Sequence, residues 1–155
     1  MNKTIIIGIG NTLRSDDGLG NHAAELLAEM PTFADVEVIS VQQLLPEQAD
    51  LLVAYDLVIF IDASYEDEPG EVKMRQLLPD ETLSNGFSHH FSPAHLLLLT
   101  RELYSKFPQA YLFSIGAENF ELGETLSPPV QQALLQLIEQ VIVLYHHHVK
   151  KVCFL

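Results

Sequence analysis

The chain has 155 residues, 48% hydrophobic and 19% charged, a balance that suits one globular domain spanning 1–155 with a proper core. Its formal net charge of -13 argues against nucleic acid or an anionic membrane as a partner. A single cysteine, Cys153, excludes an internal disulfide framework and fits a reducing compartment.

Lys3 is followed by only three isoleucines before Gly8, too short a run for a signal peptide, and no apolar run reaches the length of a membrane span. A cytoplasmic monomer is therefore expected. Thr4 to Ile7 is β-branched and ends in glycine, as a buried strand does. Leu19, Ala23, Leu26, Leu27 and Met30 recur at helical spacing, and Pro31 stops the helix. Val36 to Val41 alternates as a second strand, and Pro46 to Val53 reads as a helix with Pro46 in its first turn.

Leu57 to Ile61 is the most apolar strand candidate and ends at Asp62. Around Glu71 to Leu77 charged and apolar residues alternate, as on an exposed edge strand. Ser92 and Pro93 form an N-cap and first helical residue, which leaves His89 and His90 in the preceding loop. Ala110 to Ile115 is a further strand, followed by Gly116. After Ser127 to Pro129, the residues Val130, Leu134, Leu137, Ile138, Val141 and Leu144 share one stripe of a long amphipathic helix. Strands alternating with helices predict an α/β fold of three layers: a mostly parallel, twisted sheet of about five strands with helices on both faces.

In such sheets functional groups gather at the carboxyl ends of the strands. Asp16 and Asp17 follow the first strand, Asp62 the third, and Glu118 and Glu121 the last, with His89 and His90 in a loop within reach of the same edge. Carboxylates and an imidazole converging on one crevice suit a borderline divalent metal. Each residue also has a plainer role. Asp16 reads as a cap for the following helix, while capping and function weigh equally for Asp17 and for Asp62, which has Ser64 beside it for a turn. Gly18 and Gly20 are small enough to let that helix pack close to the sheet.

His95 lies among four leucines and reads as structural or surface. His146 to His148 end the last helix, where imidazoles suit the negative end of the dipole. Cys153, in a terminal tail with no base nearby in sequence, does not read as a nucleophile. Several familiar motifs are missing. The third glycine of a dinucleotide fingerprint is replaced by Leu13. There is no Gly-Lys-Ser/Thr of a P-loop, no G-x-S-x-G elbow and no H-E-x-x-H zinc helix.

Four blocks, GIGNTLRSDDGLG, VIFIDAS, SHHFSPAHLL and GAENFELGETLSP, together resemble the NiFe-hydrogenase maturation endopeptidases along nearly the whole chain. The resemblance implies a hydrolase that removes a C-terminal extension from a hydrogenase large-subunit precursor after nickel insertion, and a twisted sheet flanked by helices. It implies that Asp17 and Asp62 are catalytic and, with His89, contact a nickel ion carried by the substrate rather than permanently bound. His90 and then His95 are the next candidates for the imidazole. One departure from the pattern is the stretch VQQLLPE after the second strand, where many members have a Gly-Gly-Thr turn; it makes Gln42 to Pro46 a candidate determinant of partner choice. A nickel chaperone or non-proteolytic metal-binding module of the same fold is the alternative, and a nucleotide-binding domain is disfavoured by the acidic pair.

Overall fold

A computed structural model describes residues 3–79 and 91–153. Five strands, β1 (Thr4–Ile9), β2 (Glu37–Val41), β3 (Leu57–Ser64), β4 (Val72–Leu77) and β5 (Gln109–Gly116), form one sheet in the order β2-β1-β3-β5-β4. All pairings are parallel except that of β4 with β5. The helices are α1 (Leu19–Ala28), α2 (Ala49–Leu52), α3 (Pro93–Tyr104) and α4 (Pro128–Cys153).

The apolar strands β1 and β3 lie inside the sheet, where both faces are covered and neighbouring side chains go to opposite sides. Ile6, Ile59, Ile61 and Phe113 pack with Leu19, Ala23 and Leu27 of α1 and with Val130, Leu137 and Val141 of α4. Ile5, Ile7, Val58 and Phe60 pack on the other face with Leu52 of α2 and Leu96 and Leu97 of α3. The expected three-layer architecture therefore forms. The charged, alternating strand β4 is the antiparallel edge, as its pattern predicts.

Some boundaries differ from expectation. The helix predicted over Pro46 to Val53 is a 3-10 turn, Pro46–Gln48, leading into the short α2. The turn is held by the Leu45 N–H donating to Gln48 Oε1 at 2.8 Å. Leu26 is 42% exposed rather than core, because α1 shows a narrower stripe to the sheet. The last helix does not end at His146 to His148 but runs to Cys153, which is helical rather than part of a tail. His148 is buried, so it is no terminal surface residue.

The strand order reverses between β1 and β3. The chain runs outward from β1 to β2, then returns to β3 on the other side of β1. In an open parallel sheet this leaves a crevice at the carboxyl ends of those two strands.

Candidate active site

The turn after β1 is built by its own polar groups. Asn11 Oδ1 accepts the Leu13 N–H at 2.9 Å, the Arg14 N–H donates to the Asn11 carbonyl, and the Asp17 N–H donates to the Arg14 carbonyl. Gly10 is required here: its φ is 150°, and a Cβ would strike the Asp17 carbonyl. Gly20 lets α1 approach the sheet, since a Cβ there would collide with the Ile9 and Ile61 carbonyls. The expectation that this glycine serves close packing is thus met.

The adjacent aspartates have different surroundings. Asp16 is fully buried, and it is not a helix cap: α1 has Gly18 at its N-cap and no side-chain cap bond. Its partners lie more than a hundred residues away. Asp16 Oδ2 accepts the N–H groups of Glu118 and Asn119 at 2.9 Å and the Ser127 hydroxyl at 2.7 Å; Oδ1 accepts the Ser127 N–H at 2.7 Å. Burial alone would raise its carboxyl, but the Ser127 hydroxyl and the three N–H donors outweigh it and hold it below the usual carboxylate range. Asp16 is therefore an anionic staple between the first turn and the loop from β5 to α4. Ser15, with φ 52°, adds to the staple by donating its hydroxyl to the Glu121 carbonyl at 2.7 Å.

Asp17 faces the crevice. Its Oδ2 accepts the Asn11 N–H at 2.9 Å and its Oδ1 the Tyr65 hydroxyl at 2.5 Å. Asp62 does not end β3 but lies within it, paired in register with Ser114, and its Oδ1 accepts the Ala63 N–H at 2.8 Å instead of capping a turn with Ser64. Desolvation raises the Asp62 carboxyl to about 7, and the nearby Asp17 charge adds to the rise while the Ala63 N–H opposes it. Burial of the hydroxyl end, then the bond to Asp17 and the charges of both aspartates, push the Tyr65 phenol well above its ordinary value.

Asp17 and Asp62 line one groove of about 640 Å³ together with Arg14, Tyr65 and the segment Gln42 to Pro46. The candidate partner-choosing segment and the acidic pair therefore share a wall. Glu118 and Glu121 do not line this groove; the loop they belong to is tied to Ser15 and Asp16 through backbone groups. His95 is engaged elsewhere: its Nδ1 lies 2.7 Å from the Ser92 hydroxyl and its N–H donates to Ser92 Oγ, a reciprocal cap of α3. His89 and His90 lie outside the described residues. Among the described residues no three His, Cys, Asp or Glu side chains gather as a metal site.

Sequence reasoning did not single out Tyr65 or Arg14. Only β3 ending beside the first turn brings Tyr65 to Asp17, 48 residues away in the chain. Arg14 is the one cation lining the groove among the described residues, and its Nε donates to the Phe120 carbonyl at 3.3 Å. Among the described residues no helix is long and apolar enough to cross a membrane.

No protein-family model and no curated protein matches the sequence. Solved structures do. The NiFe hydrogenase maturation protease HycI from Thermococcus kodakarensis KOD1 is 26% identical, with a TM-score of 0.73 over 91% of this chain and 90% of that one. HybD from Thermococcus kodakarensis, also a NiFe hydrogenase maturation protease, is 25% identical, with a TM-score of 0.71 over 92% of this chain and 98% of that one. The hydrogenase maturating endopeptidase HybD from E. coli shares the fold at 23% identity, with a TM-score of 0.74 over 94% and 93%. In fold, the chain belongs with the hydrogenase maturation endopeptidases.

Proposed function

We propose that the chain is a cytoplasmic endopeptidase that removes the C-terminal extension of a NiFe-hydrogenase large-subunit precursor, and that it recognises the nickel already bound in that substrate. The observation that carries this reading is the pair Asp17 and Asp62 facing one groove at the switch point of the sheet, in a chain with the fold of maturation proteases. The donor set suits a cation brought by the substrate. The groove holds two carboxylates so close that the charge of one raises the other, and a divalent ion would relieve that repulsion.

The chain's own residues account for the rest. Asp17 is fixed through both oxygens, by Asn11 and by Tyr65, so its carboxylate is presented in one orientation to the substrate metal. Asp62 completes the carboxylate pair of the groove, and when free of the cation its carboxyl, raised to about 7 by burial, would accept a proton at neutral pH during attack of water on the scissile carbonyl. His89 supplies the imidazole in this reading, with His90 as second choice. The Gln42 to Pro46 wall selects which large subunit docks, because it borders the groove that receives the extension.

The test is incubation with a nickel-loaded precursor, read by mass spectrometry of the large subunit. The wild type should release the extension, and Asp17→Asn or Asp62→Asn should leave the precursor at full length. Separate His89→Ala and His90→Ala variants should show a large loss at only one position. Cleavage at the wild-type rate by both aspartate variants would remove the proposed site. Nickel-dependent binding of the precursor with no change in its length would favour a non-proteolytic metal module.

A further inference from the structure

We propose that Tyr65 is a positioning residue for Asp17 and that Phe120 holds it there, so that the loop from β5 to α4 sets the geometry of the Asp17 carboxylate. The activity arm of this proposal rests on the endopeptidase reading; the geometric arm does not.

Tyr65 donates its hydroxyl to Asp17 Oδ1 at 2.5 Å, while the Asn11 N–H holds Oδ2 at 2.9 Å. Without the phenol, the carboxylate would keep one anchor and regain rotation about its terminal torsion, which is broad and soft. Tyr65 itself is 67% exposed, so burial does not fix its rotamer. A stacking contact does: its ring lies 4.4 Å from that of Phe120, with the planes inclined by 24°.

Phe120 is in turn held through its backbone. The two residues before it donate their N–H groups to Asp16, and its own carbonyl accepts from Arg14 Nε. The Glu121 N–H donates to Asn119 Oδ1 at 3.0 Å, which closes the loop on itself. The contacts form a circuit. Asp16 pins residues 118 and 119, Phe120 stacks on Tyr65, and Tyr65 returns to Asp17, the neighbour of Asp16. One short turn both anchors the loop and receives its product, an oriented carboxylate.

Two variants separate the links. Tyr65→Phe deletes the hydroxyl and keeps the ring; Phe120→Leu removes the stack and keeps the hydroxyl. The Asn11 amide, bonded to Asp17, reports on that carboxylate without any turnover, through its hydrogen-exchange rate. Exchange at Asn11 should quicken several-fold in both single variants while core amides such as Ile6 and Ile59 keep their protection. The double variant should lose no more than Tyr65→Phe alone, because the hydroxyl that Phe120 positions is already gone. In the cleavage assay Tyr65→Phe should lower kcat by roughly 10- to 100-fold with KM little changed, the scale of a misplaced reacting group.

Wild-type exchange at Asn11 in Tyr65→Phe, or additive losses in the double variant, would overturn the proposal. If the wild type cleaves no precursor while Asn11 responds as expected, the endopeptidase reading falls and the positioning role stands. If the wild type cleaves and Tyr65→Phe matches its kcat, the positioning role falls alone.

Discussion

Asp62 should be a residue that costs the free protein stability, so that Asp62→Asn makes it more stable as it abolishes function. The sign follows from its titration. The unfolded carboxyl loses its proton near 3.8 and the folded one at about 7, so between these values the folded state holds a proton that the unfolded state has released. Stability contributed at this position therefore falls as pH rises from about 4 to about 7, and the full penalty stands above that. The difference of about 3 pH units, 7 minus 3.8, converts at 1.36 kcal/mol each to a ceiling of about 4 kcal/mol. Asp62 borders an open groove, and water there reduces the penalty to about half, roughly 2 kcal/mol. Asparagine keeps an oxygen for the Ala63 N–H and does not titrate. For a chain of this length the gain corresponds to a rise in Tm of about 4–8 °C at pH 8. Thermal unfolding of both proteins from pH 4 to pH 8 checks it. The two curves should meet near pH 4 and separate as pH rises. A constant difference across that range, or a less stable Asp62→Asn protein at pH 8, would refute the reasoning.

Asp17→Asn removes the like charge next to Asp62, a smaller contribution than burial, so the Asp62 carboxyl should titrate lower than in the wild type yet stay above its ordinary value; carboxyl carbon shifts in an NMR titration report it. Asp16→Ala leaves the part-buried N–H groups of Glu118, Asn119 and Ser127 without their acceptor and should cost about 3 kcal/mol, read by denaturant unfolding. Because the Asp16 carboxyl is held low, the stability it contributes is present above the ordinary carboxylate range and is lost only as pH falls through its depressed value, the reverse of Asp62. Gly20→Ala drives a methyl into the Ile9 and Ile61 carbonyls and should destabilise by about 3 kcal/mol or more, seen as poor soluble yield or a much lower Tm.

The fold was legible because its strands are short apolar runs and its helices carry apolar stripes, and these periods survive in the linear order of residues. Two boundaries differ from the sequence pattern, each for its own physical reason. The helix predicted over Pro46 to Val53 contains a proline turn, and hydrogen bonds of 3-10 and α type suit the same residues. β3 runs beyond Asp62 because pairing with β5 continues through Ser64 and Gly116, whereas hydropathy drops at the aspartate. The acid was visible; the backbone around it was decided by its neighbour strand.

The candidate site was legible only where one residue's chemistry speaks for itself. Asp17 follows β1 in the turn Ser15–Gly18 and Asp62 lies two residues from the end of β3, and a parallel sheet gathers the carboxyl ends of its strands. The local sequence of Asp16 suits a cap, while its four donors come from residues 118 to 127 and no local rule reports them. Tyr65 was invisible for the same reason. The division between the two aspartates then has a single cause. In SDDG the first side chain turns inward to a dense set of fixed donors, and the second turns outward to a groove with few. The inner carboxylate is held as an anion by four donors of the protein, and the outer one, held by Asn11 and Tyr65, lines the groove beside Asp62. Under the proposed function, such a turn separates holding the structure from meeting the substrate across one peptide bond, so mutation at the two positions should damage different properties: stability at Asp16, turnover at Asp17.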